Sequence, residues 1–264
     1  MDALTEFKRV QKESWKNFAP LEAVTTAAAA RLVSFAGIRP GNRVLDVGCG
    51  TGVVAITAAR KGAQVDAADL TPELLEYARE NARVAQVDIE WFEADVEQLP
   101  LPNDRFDVVV SQFGHIFAPS PDAAISEMLR VLKSGGTLAF STWPPELLVG
   151  RTTALSARYM PPPPGIPSPM EWGDPQVIRQ RLGSAVTDIA FDRQTILAPA
   201  LSPQHFRAGL ERSAPRMIKM VESLSAADPV RLQAFRAEFD SVVAEYMENN
   251  QVRQDYLLTR ARKI

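Results

Sequence analysis

With 264 residues, 46% hydrophobic and 23% charged, the chain has the composition of an ordinary globular protein, long enough for one α/β domain with an elaboration or a small subdomain. A formal net charge of −3 gives no basic field for a phosphate backbone and excludes nucleic acid as the expected substrate. The single cysteine, Cys49, rules out an internal disulfide or a Cys-x-x-Cys site and suits a reducing, cytoplasmic compartment.

The N-terminal residues Asp2, Glu6, Lys8, Arg9, Lys12 and Glu13 form a mixed-charge helical pattern without the apolar centre of a signal peptide. The most apolar stretch, 27–38, contains Arg31 and Ser34 and is too short to cross a bilayer, so no integral membrane association is expected. Residues 1–36 read as helix, since Leu21, Val24, Ala28, Leu32 and Phe35 recur at helical spacing before Gly37. A short strand at 43–47 runs into a glycine turn, and a helix follows at 53–60. A second strand is expected at 64–68. Thr71-Pro72 opens a helix running to about residue 84, with the threonine as cap and the proline in the first helical position. The third strand is 89–93, and the fourth, 106–110, is written as the continuous apolar run of a strand buried on both faces. Ser120-Pro121 starts a helix that ends at Lys133-Ser134-Gly135-Gly136, before a fifth strand at 137–142.

Strands alternating with helices at this spacing predict right-handed crossovers and a doubly wound, mostly parallel sheet. Beyond residue 142 the composition shifts to a proline-rich stretch from Pro144 to Pro169 that reads as connector or lid outside the core. Asp174-Pro175, Ser202-Pro203 and Asp228-Pro229 repeat the cap-plus-proline helix start around a strand near 186–197. Leu232, Phe235, Phe239, Val242, Val243 and Tyr246 form one helical stripe, and 256–262 alternates like a final edge strand. The expected organisation is an N-terminal helical lid (1–36), a ligand-binding core (37–143), and a C-terminal part (144–264) of connector, helical cap and terminal strands.

The strand, turn and helix at 43–60 place free N–H groups and a helix N-terminus at the carboxyl edge of the sheet. Gly48, Gly50 and Gly52 are spaced G-x-G-x-G, unlike the G-x-G-x-x-G of dinucleotide loops. Asp46 would repel a pyrophosphate there but suits a ligand carrying an ammonium and a sulfonium, the two charges of S-adenosylmethionine. Asp69 ends the second strand about 20 residues beyond Gly48, where an acidic side chain meets ribose hydroxyls. Asp95-Val96, after the third strand, pairs a polar with an apolar side chain suited to an adenine ring.

Four segments taken together, D-V-G-C-G-T-G from Asp46, D-L-T-P-E-L-L from Asp69, A-D-V-E-Q-L-P-L-P-N-D-R-F-D-V-V-V from Ala94 and E-M-L-R-V-L-K-S-G-G-T-L from Glu127, resemble the class I S-adenosylmethionine-dependent methyltransferases. Within these, the UbiE-like methyltransferase-domain proteins are most similar, and the likeness spans about residues 40–143. It implies a Rossmann-like sheet of seven strands, with S-adenosylmethionine as cofactor and S-adenosylhomocysteine as product. It also implies that Asp46, Gly48, Cys49, Gly50 and Gly52 hold the methionyl part, Asp69 and Leu70 the ribose, and Asp95 and Val96 the adenine. By the same resemblance Ser111 approaches the methionine end, and Trp15, in Trp15-Lys16-Asn17-Phe18-Ala19-Pro20, covers the cofactor from a lid helix.

The acceptor is expected to be a small, partly apolar metabolite, because the amide-methylating tetrapeptide and a cytosine-attacking cysteine are both missing from Ser111-Gln112-Phe113-Gly114-His115. His115 is a candidate general base, or a hydrogen-bonded structural histidine; Cys49 reads as a small loop residue before it reads as a nucleophile. Trp143, Tyr159, Met160, Met170 and Trp172 are candidates for an apolar acceptor pocket or for plain packing. No Asp/Glu/His spacing calls for a metal. The alternative class of function is a nonenzymatic S-adenosylmethionine-binding module or partner subunit. The sequence leaves the oligomeric state open.

Overall fold

The computed structural model describes residues 3–264; Asp2, part of the N-terminal charge pattern, lies outside the described residues. Helix α1 (Ala3–Trp15) and α2 (Glu22–Phe35) are separated by a 3-10 turn at Ala19–Leu21. The expected single helical stretch is therefore broken, because Pro20 has no N–H to donate and restrains Ala19 before it. The alanine-rich α2 buries Ala28, Ala29, Leu32 and Val33 against one face of the sheet. Next come β1 (Arg43–Val47), α3 (Val53–Arg60), β2 (Gln64–Asp69), α4 (Pro72–Ala85), β3 (Ile89–Glu93), β4 (Phe106–Gln112), α5 (Pro121–Val131) and β5 (Leu132–Thr142). Strand β5 starts before its glycines: Phe106 pairs with Leu132 and Val108 with Thr137, so a register shift absorbs 133–136.

The second half contains α6 (Leu148–Tyr159), α7 (Pro175–Leu182), β6 (Val186–Pro199), α8 (Pro203–Ser213), α9 (Pro215–Ala227), α10 (Pro229–Ala244), a two-residue β7 (Met247–Glu248) and β8 (Gln251–Lys263). The sheet order is β3-β2-β1-β4-β5-β8-β6, with β7 hydrogen-bonded to β8 outside that seven-strand path. Strands β1 to β5 pair in parallel, whereas β8 is antiparallel to both β5 and β6. The last strand is thus interior, and β6 is the edge. In β8 the run Tyr256-Leu257-Leu258-Thr259 is buried at every position, which an edge strand with one wet face would not show.

The proline-rich region corrects the expectation of a connector outside the core. It contains α6, and in the turn Pro169–Gly173 Met170 and Trp172 are buried. A Cβ on Gly173 would stand 2.0 Å from the Trp143 carbonyl oxygen, so this turn lies directly against the end of β5 and only glycine fits. The last carbonyls of α6 are met by cations, with Arg231 donating to Arg158 and Tyr159 and Arg216 to Met160, at the negative end of the helix.

Asp174, Ser202 and Asp228 accept from Gln176, His205 and Arg231 backbone N–H groups, as helix caps do. Thr71 makes no such bond; Asp69 Oδ1 accepts from its N–H instead. Helices α6, α9 and α10 share a core of Leu148, Leu155, Met217, Met220, Phe235 and Phe239. Because β6 runs in the direction of β5, both strands deliver the chain into this helical cap at the carboxyl edge of the sheet. That is the edge carrying the glycine turn. The loop leading into β4 is fixed beneath it by Arg130, which donates to Leu99 and Leu101 carbonyls, Asn103 and both Glu127 oxygens. Among the described residues no helix is long and apolar enough to cross a membrane.

Candidate functional site

The turn after β1 is held from below, since Gly48 and Cys49 N–H both donate to the Ala68 carbonyl at 2.8 and 3.1 Å. Gly48, Gly50 and Gly52 all have positive φ, a region costly for other residues. They differ in surroundings. A Cβ on Gly48 would sit 2.8 Å from Gly114 Cα, and one on Gly52 would strike the Trp91 ring at 2.9 Å, whereas at Gly50 nothing lies within 4 Å. The turn is therefore clamped at both ends and faces open space at its crest. Cys49 is buried, and burial, followed by the charges of Asp69 and Asp46, pushes its thiol well above the usual range. Such a thiol is protonated and unreactive.

Two carboxylates lie below the turn. Asp46 is 1% exposed; its Oδ2 accepts from the Ala55 N–H at 3.0 Å, while Oδ1 is buried without a partner. Burial raises its pKa to about 7, against the Ala55 hydrogen bond and with help from the Asp69 charge. Asp69 accepts from Gly50 N–H through Oδ2 and from Thr71 N–H through Oδ1, each at 2.8 Å. Burial raises its pKa as well, opposed by those bonds. Two desolvated carboxylates with one unspent oxygen match a cationic ligand, whose charge would lower both pKa values. Asp69 has committed both oxygens to the chain's own backbone, but each keeps a second lone pair for a hydroxyl. Leu70 follows it at the loop start, half-buried.

Asp95 and Val96, the residues expected to meet an adenine, follow β3, and Asp95 is engaged by the chain itself. Its Oδ1 accepts from the Glu97 N–H at 2.9 Å and its Oδ2 pairs with Lys8 of α1 at 2.6 Å. Val96 packs at the margin of the core beneath. Trp15 lies over Phe117, ring centroids 4.6 Å apart, and edge-on to Phe18 at 5.5 Å. Gln11 ties the same helix to the Phe117 carbonyl at 3.1 Å.

Ser111 and His115 are both buried behind the turn. The Ser111 hydroxyl donates to the Val47 carbonyl at 2.6 Å and accepts from the His115 N–H at 3.1 Å. It is a fully buried strut between the ends of β4 and β1, with both of these bonds running to backbone. His115 is fully buried between Phe140 and Trp172, each 4.8 Å away by ring centroid, with neither ring nitrogen partnered. Burial, then the Arg181 charge, carries its pKa down to about 3. A buried imidazole of such low basicity is poorly placed to take a proton from a substrate at neutral pH. His115→Phe should therefore keep cofactor binding, leave the pH–rate profile between pH 5 and 8 unchanged, and gain about 1 kcal/mol in urea unfolding by removing an unsatisfied polar group. A lost alkaline or acid limb would restore the catalytic role.

The aromatic and methionine candidates do not share one pocket: Met170 and Trp172 belong to the core on the α5 side, and Tyr159 and Met160 pack on the cap. Trp143 alone stays at the sheet edge, stacked on Phe113 at 4.0 Å and edge-on to Tyr256 at 6.2 Å. Beside this trio lie two groups that the sequence reading passed over. Gln112 and Ser141 are cross-strand partners at the ends of β4 and β5; Gln112 donates to the Thr25 carbonyl at 3.0 Å, yet its Oε1 and the Ser141 Oγ are buried without partners. The available signal was a polar residue closing each of two apolar strands. Phe113 between them holds φ of 60°, a strained value for a bulky residue and one that functional turns tolerate. Among the described residues, no group of three or more His, Cys, Asp or Glu could hold a metal.

The methyltransferase-domain family profile matches residues 44–136. An uncharacterized protein of Mycobacterium tuberculosis is 35% identical over 234 residues, 88% of this chain and 85% of its own. The ubiquinone/menaquinone biosynthesis C-methyltransferase UbiE of Pseudomonas putida is 39% identical over 137 residues, 49% of this chain and 54% of its own. In fold the chain is similar to phosphoethanolamine N-methyltransferase 2 of Haemonchus contortus, solved with phosphomonomethylethanolamine and S-adenosylhomocysteine (TM-score 0.58, 19% identity, 92% of this chain and 56% of that one). It is similar also to the [4+2]-cyclase SpnF (TM-score 0.51, 20% identity, 90% and 81%).

Proposed function

Because the chain belongs to the class I S-adenosylmethionine-dependent methyltransferases, we propose that it transfers a methyl group to a small, partly apolar metabolite by in-line displacement. The observation that carries the cofactor half of this reading is the buried, unpartnered Oδ1 of Asp46 beside Asp69, under a glycine turn open at Gly50. S-adenosylmethionine supplies an electrophilic methyl on a sulfonium and leaves as S-adenosylhomocysteine. Asp46 and the loop Gly48, Cys49, Gly50 and Gly52 would hold its methionyl part, Asp69 and Leu70 its ribose, and Asp95 and Val96 its adenine, with Trp15 covering it. The buried acids favour the cationic donor over its neutral product at the sulfur, which assists exchange after transfer.

For the acceptor, the Phe113, Trp143 and Tyr256 rings offer an apolar wall. Gln112 and Ser141 offer an acceptor and a hydroxyl to a group that carries a hydrogen-bond donor. The chain's own contribution is positioning and exclusion of water by α1 and the cap, which can supply much of the rate. The quinone pathway in the name of the Pseudomonas relative is not carried over: that likeness spans about half of either chain. A shared fold does not select the chemistry. Calorimetry should detect binding of S-adenosylmethionine and S-adenosylhomocysteine, and a small-metabolite extract incubated with methyl-labelled cofactor should yield a labelled product whose structure names the acceptor. Failure of both ligands to bind would overturn the proposal. Binding with no labelled product from any extract would favour the nonenzymatic module.

A further inference from the structure

Helix α1 turns Lys8, Gln11, Lys12 and Trp15 to one face, at spacings of three and four residues. All four meet the carboxyl edge of the sheet. The Lys8 ammonium lies between Asp95 Oδ2 and Glu97 Oε2, Lys12 pairs with Glu93, and Gln11 and Trp15 reach Phe117. Glu97 is itself fixed, because its other oxygen accepts from the Ser120 N–H at 2.7 Å. On the opposite side Val10 and Ser14, with Asn17 just past the helix end, line a cleft of about 330 Å³ together with Pro215, Ile218 and Lys219 of α9. The Lys219 ammonium donates to the Val10 carbonyl there, at 3.3 Å. The helix is therefore fixed to the carboxyl edge of the sheet through two lysines and two neutral side chains, while its other side packs on α9. It joins α2 through the Pro20 break, and a partly open cleft runs between it and α9.

Both lysines remain within reach of solvent ions, their side chains 24% and 35% exposed. Their attachment is accordingly one that salt weakens. We propose that Lys8 and Lys12 are an electrostatic latch. Lys8 is a positioning residue that fixes Asp95 toward the adenine, and the two pairs together hold α1 closed over the bound nucleoside, so that breaking them sets the rate at which S-adenosylhomocysteine leaves. This rests on the cofactor reading above. Asp95 Oδ2 already carries the ammonium, but Oδ1 receives only the Glu97 N–H, and both oxygens retain capacity for an adenine amino group.

Release of S-adenosylhomocysteine, followed by stopped-flow tryptophan fluorescence, tests the latch on the full chain. In the unaltered protein release should accelerate severalfold between 0.05 and about 0.5 M NaCl, as expected of screened ion pairs. Lys8→Met/Lys12→Met should release the product roughly three- to tenfold faster at low salt and lose most of the salt dependence. Lys8→Arg should restore slow release. Lys16→Met, one residue past the end of α1 and paired with Glu13, should behave as the unaltered protein, and all variants should melt within a degree or two of it. Equal release rates with and without the two lysines, or a release rate indifferent to salt, would overturn the latch. Absence of any S-adenosylhomocysteine binding by the unaltered chain would instead overturn the cofactor reading.

Discussion

Asp46→Asn should make the ligand-free protein more stable at pH 8 while depriving it of its cofactor. The carboxyl is buried with one oxygen unpartnered, and its pKa is carried from 3.8 to about 7, so keeping it ionised in the fold costs about 4 kcal/mol. The folded state holds this proton more tightly than the unfolded chain. The resulting stabilisation is fully present below about pH 4 and is lost as the pH rises to about 7. The neutral amide removes that loss and keeps an oxygen for the Ala55 N–H, but leaves an amide donor unpaired at about 1–3 kcal/mol. A net gain of about 1–3 kcal/mol, or a few degrees in melting temperature, should appear above pH 7 and shrink toward pH 4. Cofactor affinity should move the other way, falling roughly 10- to 150-fold with the loss of a charged partner worth about 1.5–3 kcal/mol. Calorimetry at pH 8 and thermal melts from pH 4 to 8 measure both effects. Unchanged affinity would remove Asp46 from the methionyl site.

Gly114→Ala should be more damaging. A Cβ there would lie 2.5 Å from the Gly48 carbonyl oxygen and 2.8 Å from Gly48 Cα, and both are backbone atoms with no rotamer to change. The turns after β1 and β4 must then separate. That pulls Gly48 from its bond to Ala68 and loosens the Ser111 strut between Val47 and His115. Overpacking of this kind costs about 1–3 kcal/mol, and here the strain falls on the turn that would hold the methionyl group. The expected result is a folded protein with a melting temperature several degrees lower and no measurable S-adenosylmethionine binding. Near-normal binding in the alanine variant would show that the two turns can part without consequence. Gly50→Ala provides the contrast, since its added methyl meets no protein atom; its penalty should come from the backbone conformation and from crowding of the ligand.

The central part of the fold was legible because its signals are local. Arg43 to Gly52, Gln64 to Pro72 and Ile89 to Val96 carry strand, turn and cap chemistry within a few residues of one another, and the structure places the elements there within a residue or two. The α1–α2 break was also local, but the one proline that caused it was outweighed by the charge pattern before it and the helical spacing that starts at Leu21 after it. The roles of Ser111, His115 and Trp172 were set elsewhere. Whether Ser111 faces a ligand or the Val47 carbonyl depends on how closely Gly48 and Gly114 approach, and whether His115 titrates depends on Trp172 arriving from a distant turn. Gln112 and Ser141 escaped notice for the same reason. Each is an unremarkable polar residue until the β4–β5 register sets them side by side with unsatisfied oxygens. Asp95 was located by its spacing, but only the packing of α1 revealed that it shares its charge with Lys8.

The interior position of β8 also bears on the order in which the molecule can assemble. Thr142 pairs with Leu257 and Pro199 with Gln251, so β5 and β6 have no contact until the final strand slides between them. In chain order β6 and the cap helices precede β8, so the place beside β5 stays vacant until β8 has been made. Closing it is a late event with a high loop-closure cost. Until then two hydrogen-bonding edges stand open, and a nascent chain is exposed to pairing with its neighbours. The strand that completes the sheet is therefore also the one that ends its vulnerability to aggregation.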